Sequence, residues 1–145
     1  MITKKIQDTE PINADEGTEI RQIFHPHNTL DGIRYSLAQS TIQPGKKSKP
    51  HKMKTSEVYF VLEGKGVLHV DDVPIIIEEY QSVFVPPFSI QYLENTSNEE
   101  LKVLCIVDPA WKKDDEVLIW SKYLFIILAC IKNSWTQNKR VRFYS

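Results

Sequence analysis

Cysteine is scarce in this sequence, and so is any excess of positive charge. Only two cysteines occur among 145 residues, Cys105 and Cys130, which is too few for a disulfide framework or a zinc-type cysteine cluster. The formal net charge of −1 provides no basic surface of the kind that drives nucleic-acid binding, so we expect no nucleic-acid partner. Residues 1–10 lack the apolar core of a signal peptide, and we expect a cytoplasmic protein.

Charge is unevenly distributed along the chain. All 19 acidic residues precede Leu118, whereas Lys122, Lys132, Lys139, Arg140 and Arg142 follow it. Such an asymmetry is typical of a tail that docks on its own domain, on a partner or on an anionic surface. The sequence does not choose among these three.

Short β-type runs separated by turn residues make up most of the chain. Pro44-Gly45 and Asp71-Asp72 are examples of the turn residues, and no long helical period appears before residue 114. We therefore predict one all-β domain, an antiparallel sandwich or barrel, with at most one edge strand before it. The predicted strands are Glu19–Phe24, Ile33–Ile42, Glu57–Leu62, Gly66–Val70, Pro74–Glu78, Ser82–Val85, Gln91–Glu94 and Leu101–Val107.

The segment from Gly45 to Gly64 resembles the first motif of the cupin family. That motif is Gly, five residues, His, one residue, His, three or four residues, Glu, six residues and Gly. Gly45, His51, Glu57 and Gly64 fit it in type and spacing, while Met53 stands in place of the second His. The resemblance implies a single double-stranded β-helix barrel, jelly-roll-like in shape.

A weaker match to the second cupin motif follows at the expected distance. Pro86 and Asn95 fit this motif, but Tyr80 and Phe88 stand where its two glycines would be, and Gln91 replaces its His. With the flanking strands, the resemblance gives a polar lead-in over residues 1–18, a barrel over 19–110 and a C-terminal extension over 111–145.

Cupins usually bind a divalent metal through four motif residues, commonly manganese, iron, zinc, nickel or copper. Carried over by position, the set becomes His51, Met53, Glu57 and Gln91. A thioether suits copper(I), whereas an amide oxygen suits harder ions, so the two substitutions do not favour a common metal. The resemblance leaves His51, Glu57 and Gln91 as candidate metal ligands.

The same residues are candidates for binding a small molecule. His51, Met53, Glu57 and Tyr59 share a parity, so an extended chain points them to one side of the sheet, and Gln91 can reach the same cavity from another strand. We expect His51, Glu57, Tyr59 and Gln91 to line a pocket at the barrel mouth. Packing in the core is the alternative role for Met53 and Tyr59.

The other histidines and Cys105 are not among the candidate site residues. His25 and His27 flank Pro26 and are expected in a loop, His69 is expected to face outward, and Cys105 is expected to be a core thiol. A cluster of lysines lies near the predicted mouth of the barrel, and it consists of Lys46, Lys47, Lys49, Lys52 and Lys54. It is either a solvated face or a surface that attracts an anionic ligand.

Residues 118–131 are almost wholly apolar. Asp114 is a candidate cap for a helix that begins near Asp115. The apolar run is too short to span a bilayer as a helix, so we expect it to pack on the barrel or on a partner subunit, with membrane-surface association as the alternative.

Three functions remain open from the sequence. The first is a small-molecule-binding protein for a polar or anionic metabolite, and the second is a metal-dependent cupin enzyme, a dioxygenase or an isomerase. The third is an interaction protein that uses the apolar tail. Whether the chain is an enzyme stays open, and the resemblance implies a homodimer, because small cupins often pair through their sheets.

Overall fold

Two antiparallel sheets form the fold, as predicted. The computed structural model describes residues 1–119, and these contain strands and two short 3₁₀ turns, Ile6–Asp8 and Lys113–Asp115. The strands are β1 Pro11–Asn13, β2 Glu19–Phe24, β3 Ser36–Ile42, β4 His51–Met53, β5 Ser56–Glu63, β6 Gly66–Val70, β7 Val73–Ile77, β8 Ser82–Val85, β9 Ile90–Glu94, β10 Leu101–Asp108 and β11 Glu116–Leu118.

The two sheets share one core. The six-stranded sheet has the order β1-β2-β3-β10-β5-β8, and the five-stranded sheet has the order β11-β4-β9-β6-β7. The alternating apolar residues that predicted the strands point inward from both. Val61 and Val103 of the first sheet meet Leu68, Ile77 and Leu93 of the second in a single buried cluster. This is the barrel that the resemblance implied.

Asn95 fastens the end of β9 to its surroundings. Its side-chain nitrogen donates hydrogen bonds to the backbone oxygens of Ile42 and Glu99, at 2.9 and 2.7 Å, and its side-chain oxygen accepts from Ser97. The side chain is buried, so each of these bonds satisfies a group that has lost its water. This fixes β9, the strand that carries Gln91.

Two predictions about short segments were incomplete or wrong. The strand β4, which carries His51 and Met53, was missing from the predicted strands, although the parity argument treated this segment as extended. The helix expected to begin near Asp115 is absent from the described residues, since Glu116–Leu118 forms β11 and pairs with β4. The physical reason is that the free edge of β4 offers backbone hydrogen-bond partners to residues 116–118, which an isolated first turn of a helix would lack. Asp114 caps no helix. It lies inside the 3₁₀ turn Lys113–Asp115, whose N-cap residue is Lys112 and has no side-chain cap. The rest of the apolar run, 120–131, lies outside the described residues.

No helix in residues 1–119 is long and apolar enough to cross a membrane.

Four positions corresponding to motif glycines all have a left-handed backbone. Gly45 and Gly64 have φ of 68° and 82°, and Tyr80 and Phe88, which replace glycines in the second motif, have φ of 66° and 67°. An added Cβ at Gly64 would lie 2.4 Å from the backbone oxygen of Glu100, so this position also excludes larger residues by contact. The backbone therefore keeps the motif geometry where the residue types do not.

We expect Tyr80→Gly to leave the free energy of unfolding unchanged or raise it by up to about 1.5 kcal/mol. The substitution relieves a left-handed strain of about 1–2 kcal/mol, and the extra flexibility of glycine in the unfolded chain offsets about 0.5–1 kcal/mol of that gain. Ile76→Gly is the matched control, because both side chains are 77% exposed and Ile76 lies in a regular strand. Urea unfolding of both variants tests this, and an equal loss of stability in the two would contradict it.

Candidate functional site

Glu57 lies inside the barrel on β5. Its side chain shares the inward face of the strand with Tyr59 and Val61, and all three are buried. A buried carboxylate is unfavourable unless hydrogen-bond donors or opposite charges surround it. The neighbours of Glu57 therefore decide what this part of the barrel can do.

Gln91 and His51 reach Glu57 from the opposite sheet. They sit directly across from each other on β9 and β4, and Gln91 Nε2 donates a 2.7 Å hydrogen bond to Glu57 Oε2. The same nitrogen lies 3.5 Å from His51 Nε2. The structure thus brings together three of the residues predicted from the motifs, across 40 positions of sequence.

A backbone carbonyl fixes the orientation of His51. Its ring Nδ1 lies 3.0 Å from the backbone oxygen of Lys49. Because a carbonyl oxygen only accepts, Nδ1 carries the proton, and in the neutral ring the lone pair is on Nε2, the atom that faces Gln91. His51 therefore presents an acceptor to the interior.

Burial governs the acidity of this cluster. It raises the pKa of Glu57 above its ordinary value, and the nearby His51 and hydrogen bonds from Tyr59, Gln91 and Cys105 offset part of that rise. Burial also raises the pKa of the Tyr59 hydroxyl and the Cys105 thiol well above their ordinary values, and the charge on Glu57 adds to both. Tyr59 and Cys105 therefore act as neutral donors beside Glu57.

A cavity of about 280 Å³ opens above this cluster. Its wall is mixed. The polar and charged lining residues are Asn13, Asp15, Glu16, Thr18, Gln22, His25, Ser36, Ser40, Ser48, His51, Glu57, Tyr59, Cys105, Trp111, Lys113 and Glu116. The apolar ones are Ile12, Ala14, Ile20, Ala38, Met53, Leu93 and Val107.

The predicted site residues occupy two layers relative to this cavity. His51, Glu57 and Tyr59 line it, as does Met53. Gln91 does not belong to the wall. It lies behind Glu57 and His51, almost fully buried, where it donates a hydrogen bond to Glu57. In this arrangement it contacts the two residues that line the cavity rather than the cavity itself.

Sequence reasoning missed part of the wall. Glu16 and Thr18 come from the lead-in, and Trp111 and Glu116 come from the extension after residue 110. His25 lies in a loop, as expected, just before the turn at residues 26–29, and it is buried and lines the cavity. Gly17 signalled the turn near Glu16, yet no pattern showed that this turn folds over the barrel mouth.

The remaining histidines and lysines have other surroundings. His25 is occupied on both ring nitrogens, since Nε2 lies 2.9 Å from the backbone oxygen of Trp111 and Nδ1 accepts from the backbone nitrogen of His27. His69 lies outside the core, stacked on Tyr92 and 3.2 Å from a Glu94 oxygen. The basic cluster of Lys46, Lys47, Lys49, Lys52 and Lys54 contributes no residue to the cavity wall.

The cupin metal set does not fit the residues present here. Gln91 directs its amide nitrogen at Glu57 and His51, and that nitrogen has no lone pair for a metal. Its Oε1, the atom that could ligate, is buried without a hydrogen-bond partner among the described residues. Met53 adds a soft thioether beside hard oxygens. Within residues 1–119, no three His, Cys, Asp or Glu side chains form a group suited to a metal ion.

Replacing Glu57 by Gln is expected to change how stability depends on pH. Because the folded pKa of Glu57 is raised from 4.5, the folded state binds this proton more tightly than the unfolded state. That contribution is complete below pH 4.5 and is lost as pH rises through the folded pKa, at about 1.4 kcal/mol for each unit of difference. The Glu57→Gln variant should therefore lose less stability than the natural protein as pH rises from 4.5 through the folded pKa of Glu57.

Chemical denaturation across this pH range measures the difference. Glu99→Gln, at an exposed site, is the matched control and should follow the natural protein. Parallel curves for the natural protein and Glu57→Gln would contradict the raised pKa.

Comparisons with known proteins agree with this architecture. The family model described as "Cupin domain" matches residues 38–107. Uncharacterized protein MJ1618 of Methanocaldococcus jannaschii is 34% identical over 125 residues, which is 82% of this chain and 99% of that protein. Mannose-1-phosphate guanylyltransferase RfbM of Salmonella typhimurium is 28% identical over 122 residues, 79% of this chain but 25% of the enzyme.

A solved structure shows the same fold. The cupin-2 domain Rru_A2000 from Rhodospirillum rubrum superposes with a TM-score of 0.69 at 18% identity, covering 88% of this chain and 86% of that one. The barrel and the motif residues within it agree with the family model, and MJ1618 matches this chain over nearly its whole length. This chain belongs to the cupin family.

Proposed function

We propose that this protein binds a small polar molecule in the cavity at the barrel mouth. The observation that carries the proposal is the cavity itself, about 280 Å³, with His51, Glu57 and Tyr59 on its wall. Binding sites for small molecules combine an apolar wall with a few fixed polar groups, and this one is at the lower end of the usual size range. A compact metabolite fits that volume.

Preorganised polar groups support this proposal. Gln91, on β9, holds Glu57. The carbonyl of Lys49, in the segment just before β4, holds His51, and the backbone nitrogen of Lys49 is itself bonded to the Glu16 carbonyl. A ligand would therefore meet groups whose positions are already set, which reduces the entropy lost on binding. The apolar part of the wall, such as Ile20, Leu93 and Val107, would contact the carbon skeleton.

A metal-dependent enzyme is the second candidate. What supports it is the family and the pair His51 and Glu57, which keep two of the four ligand types. What opposes it is the direction of the Gln91 amide. The similarity to the guanylyltransferase covers a quarter of that enzyme, so its activity is not carried over to this chain.

The third function, an interaction protein that uses the apolar tail, concerns residues outside the described part of the chain. A cytoplasmic location stays a prediction.

We also propose that the protein forms the homodimer that the resemblance implies. A row of apolar side chains crosses the outer face of the six-stranded sheet, where Leu37 is opposite Ile106, Ile106 opposite Val58, and Val58 opposite Phe84. Phe84 and Ile106 are exposed on this face. A second copy packed against the row would cover it, and the molar mass in solution tests this.

Narrowing the cavity should strongly reduce small-molecule binding. Ala38→Leu adds apolar volume to the wall and leaves the polar residues His51, Glu57 and Tyr59 unsubstituted. We expect the natural protein to enrich specific compounds from a pool of polar metabolites in equilibrium dialysis, as identified by mass spectrometry. The Ala38→Leu variant should lose most of that enrichment.

Ile76→Ser, on the outside of the barrel, is the control and should behave as the natural protein does. Thermal unfolding of each variant verifies that it is folded. If the natural protein enriches nothing, or if Ala38→Leu enriches the same compounds equally, the proposed function is wrong.

A further inference from the structure

A tight turn in the lead-in places a second carboxylate at the cavity. Between β1 and β2, Ala14 N donates to Thr18 O, Gly17 N donates to Ala14 O, and Gly17 has a φ of 94°. The backbone oxygen of Glu16 accepts from Lys49 N at 2.6 Å, which fastens the turn to the segment before β4. The Glu16 side chain is thereby turned inward and is 9% exposed.

Glu16 faces the same interior groups as Glu57. One of its oxygens, Oε1, accepts a short hydrogen bond from Thr18 Oγ1, which fixes the carboxylate. Its charge contributes to the raised pKa of both Tyr59 and Cys105, the two side chains that also contact Glu57. Two carboxylates, one from the turn and one from β5, therefore act on the same part of the cavity.

An unused hydroxyl lies in the same wall. Ser40, on β3, is 2% exposed and lines the cavity, and its Oγ has no hydrogen-bond partner among the described residues. A buried hydroxyl without a partner is unfavourable, so this group is suited to a polar atom of a ligand. It provides evidence for a ligand that is independent of the carboxylates.

The charges on the wall are unequal. Asp15, Glu16, Glu57 and Glu116 line the cavity, and among the described lysines and arginines Lys113 alone does so. Lys113 is exposed and pairs with Asp15 at 3.3 Å, which leaves Glu16 and Glu57 deeper in the cavity. The anionic ligand suggested by the basic cluster is thus disfavoured, because that cluster lies off the wall.

We propose that the cavity takes an organic cation with at least one ammonium group, held by Glu16 and Glu57. An ammonium group provides three donors and a positive charge, and the wall offers carboxylate oxygens together with the Ser40 hydroxyl. The positive charge offsets the unfavourable burial of the carboxylates. This inference rests on the proposed small-molecule function and defines its ligand class.

Three four-carbon probes of similar size test the charge preference by titration calorimetry at pH 7 and low salt. They are putrescine, which is a dication, 1,4-butanediol, which is neutral, and succinate, which is a dianion. We expect putrescine to bind most tightly. Glu16→Gln should weaken putrescine about ten- to hundred-fold, because it removes a charge but keeps an oxygen for Thr18.

Glu10→Gln is the matched control, since it makes the same substitution in the lead-in at an exposed site outside the cavity wall, and its effect should be several-fold smaller. Tighter binding of succinate or butanediol, lost in Ala38→Leu, would overturn the cation inference while leaving the cavity as a binding site. Equal weakening by Glu16→Gln and Glu10→Gln would overturn the role of Glu16. If no probe binds, the cation inference fails, and the dialysis experiment decides the proposed function separately.

Discussion

The buried carboxylate of Glu57 is the constraint on which the rest of the site depends. A charge in the interior of a barrel requires donors, and it receives them from separate strands: Gln91 on β9, Cys105 on β10 and Tyr59 on β5 itself. These strands belong to both sheets, so the register between the sheets must be right for the cluster to form. Removing any donor would leave Glu57 less compensated, which ties the fold of the barrel to the chemistry of its mouth.

One replacement distinguishes this site from the motif that it resembles. An imidazole in place of Gln91 would offer a lone pair to a metal, whereas the amide nitrogen of Gln91 donates a hydrogen bond to Glu57. The carboxylate that would help to neutralise a metal is instead oriented by hydrogen bonds from protein donors. This difference is why we propose a hydrogen-bonded cavity for a polar molecule rather than a metal centre.

Much of this was readable from the sequence, because parity and spacing are local properties. The alternation along β5 placed Glu57 and Tyr59 on one face, and motif spacing brought His51 and Gln91 to them. Tyr80 and Phe88, which replace the two glycines of the second motif, still have the left-handed backbone expected at glycine positions. The wall supplied by Glu16 and Glu116 was not readable, because it depends on how the lead-in and extension fold over the barrel. The orientation of the Gln91 amide, which decides between a metal and a hydrogen bond, also depends on tertiary contacts.

Metal content tests the central claim most directly. The natural protein, purified without added metal and then equilibrated with manganese, iron, zinc, nickel or copper, is compared with His51→Ala by elemental analysis, and Gln91→His serves as a variant that restores the motif imidazole. The account predicts substoichiometric metal in the natural protein, with no difference from His51→Ala. A stoichiometric ion in the natural protein that is lost in His51→Ala would contradict it and make the metal-dependent enzyme the better interpretation.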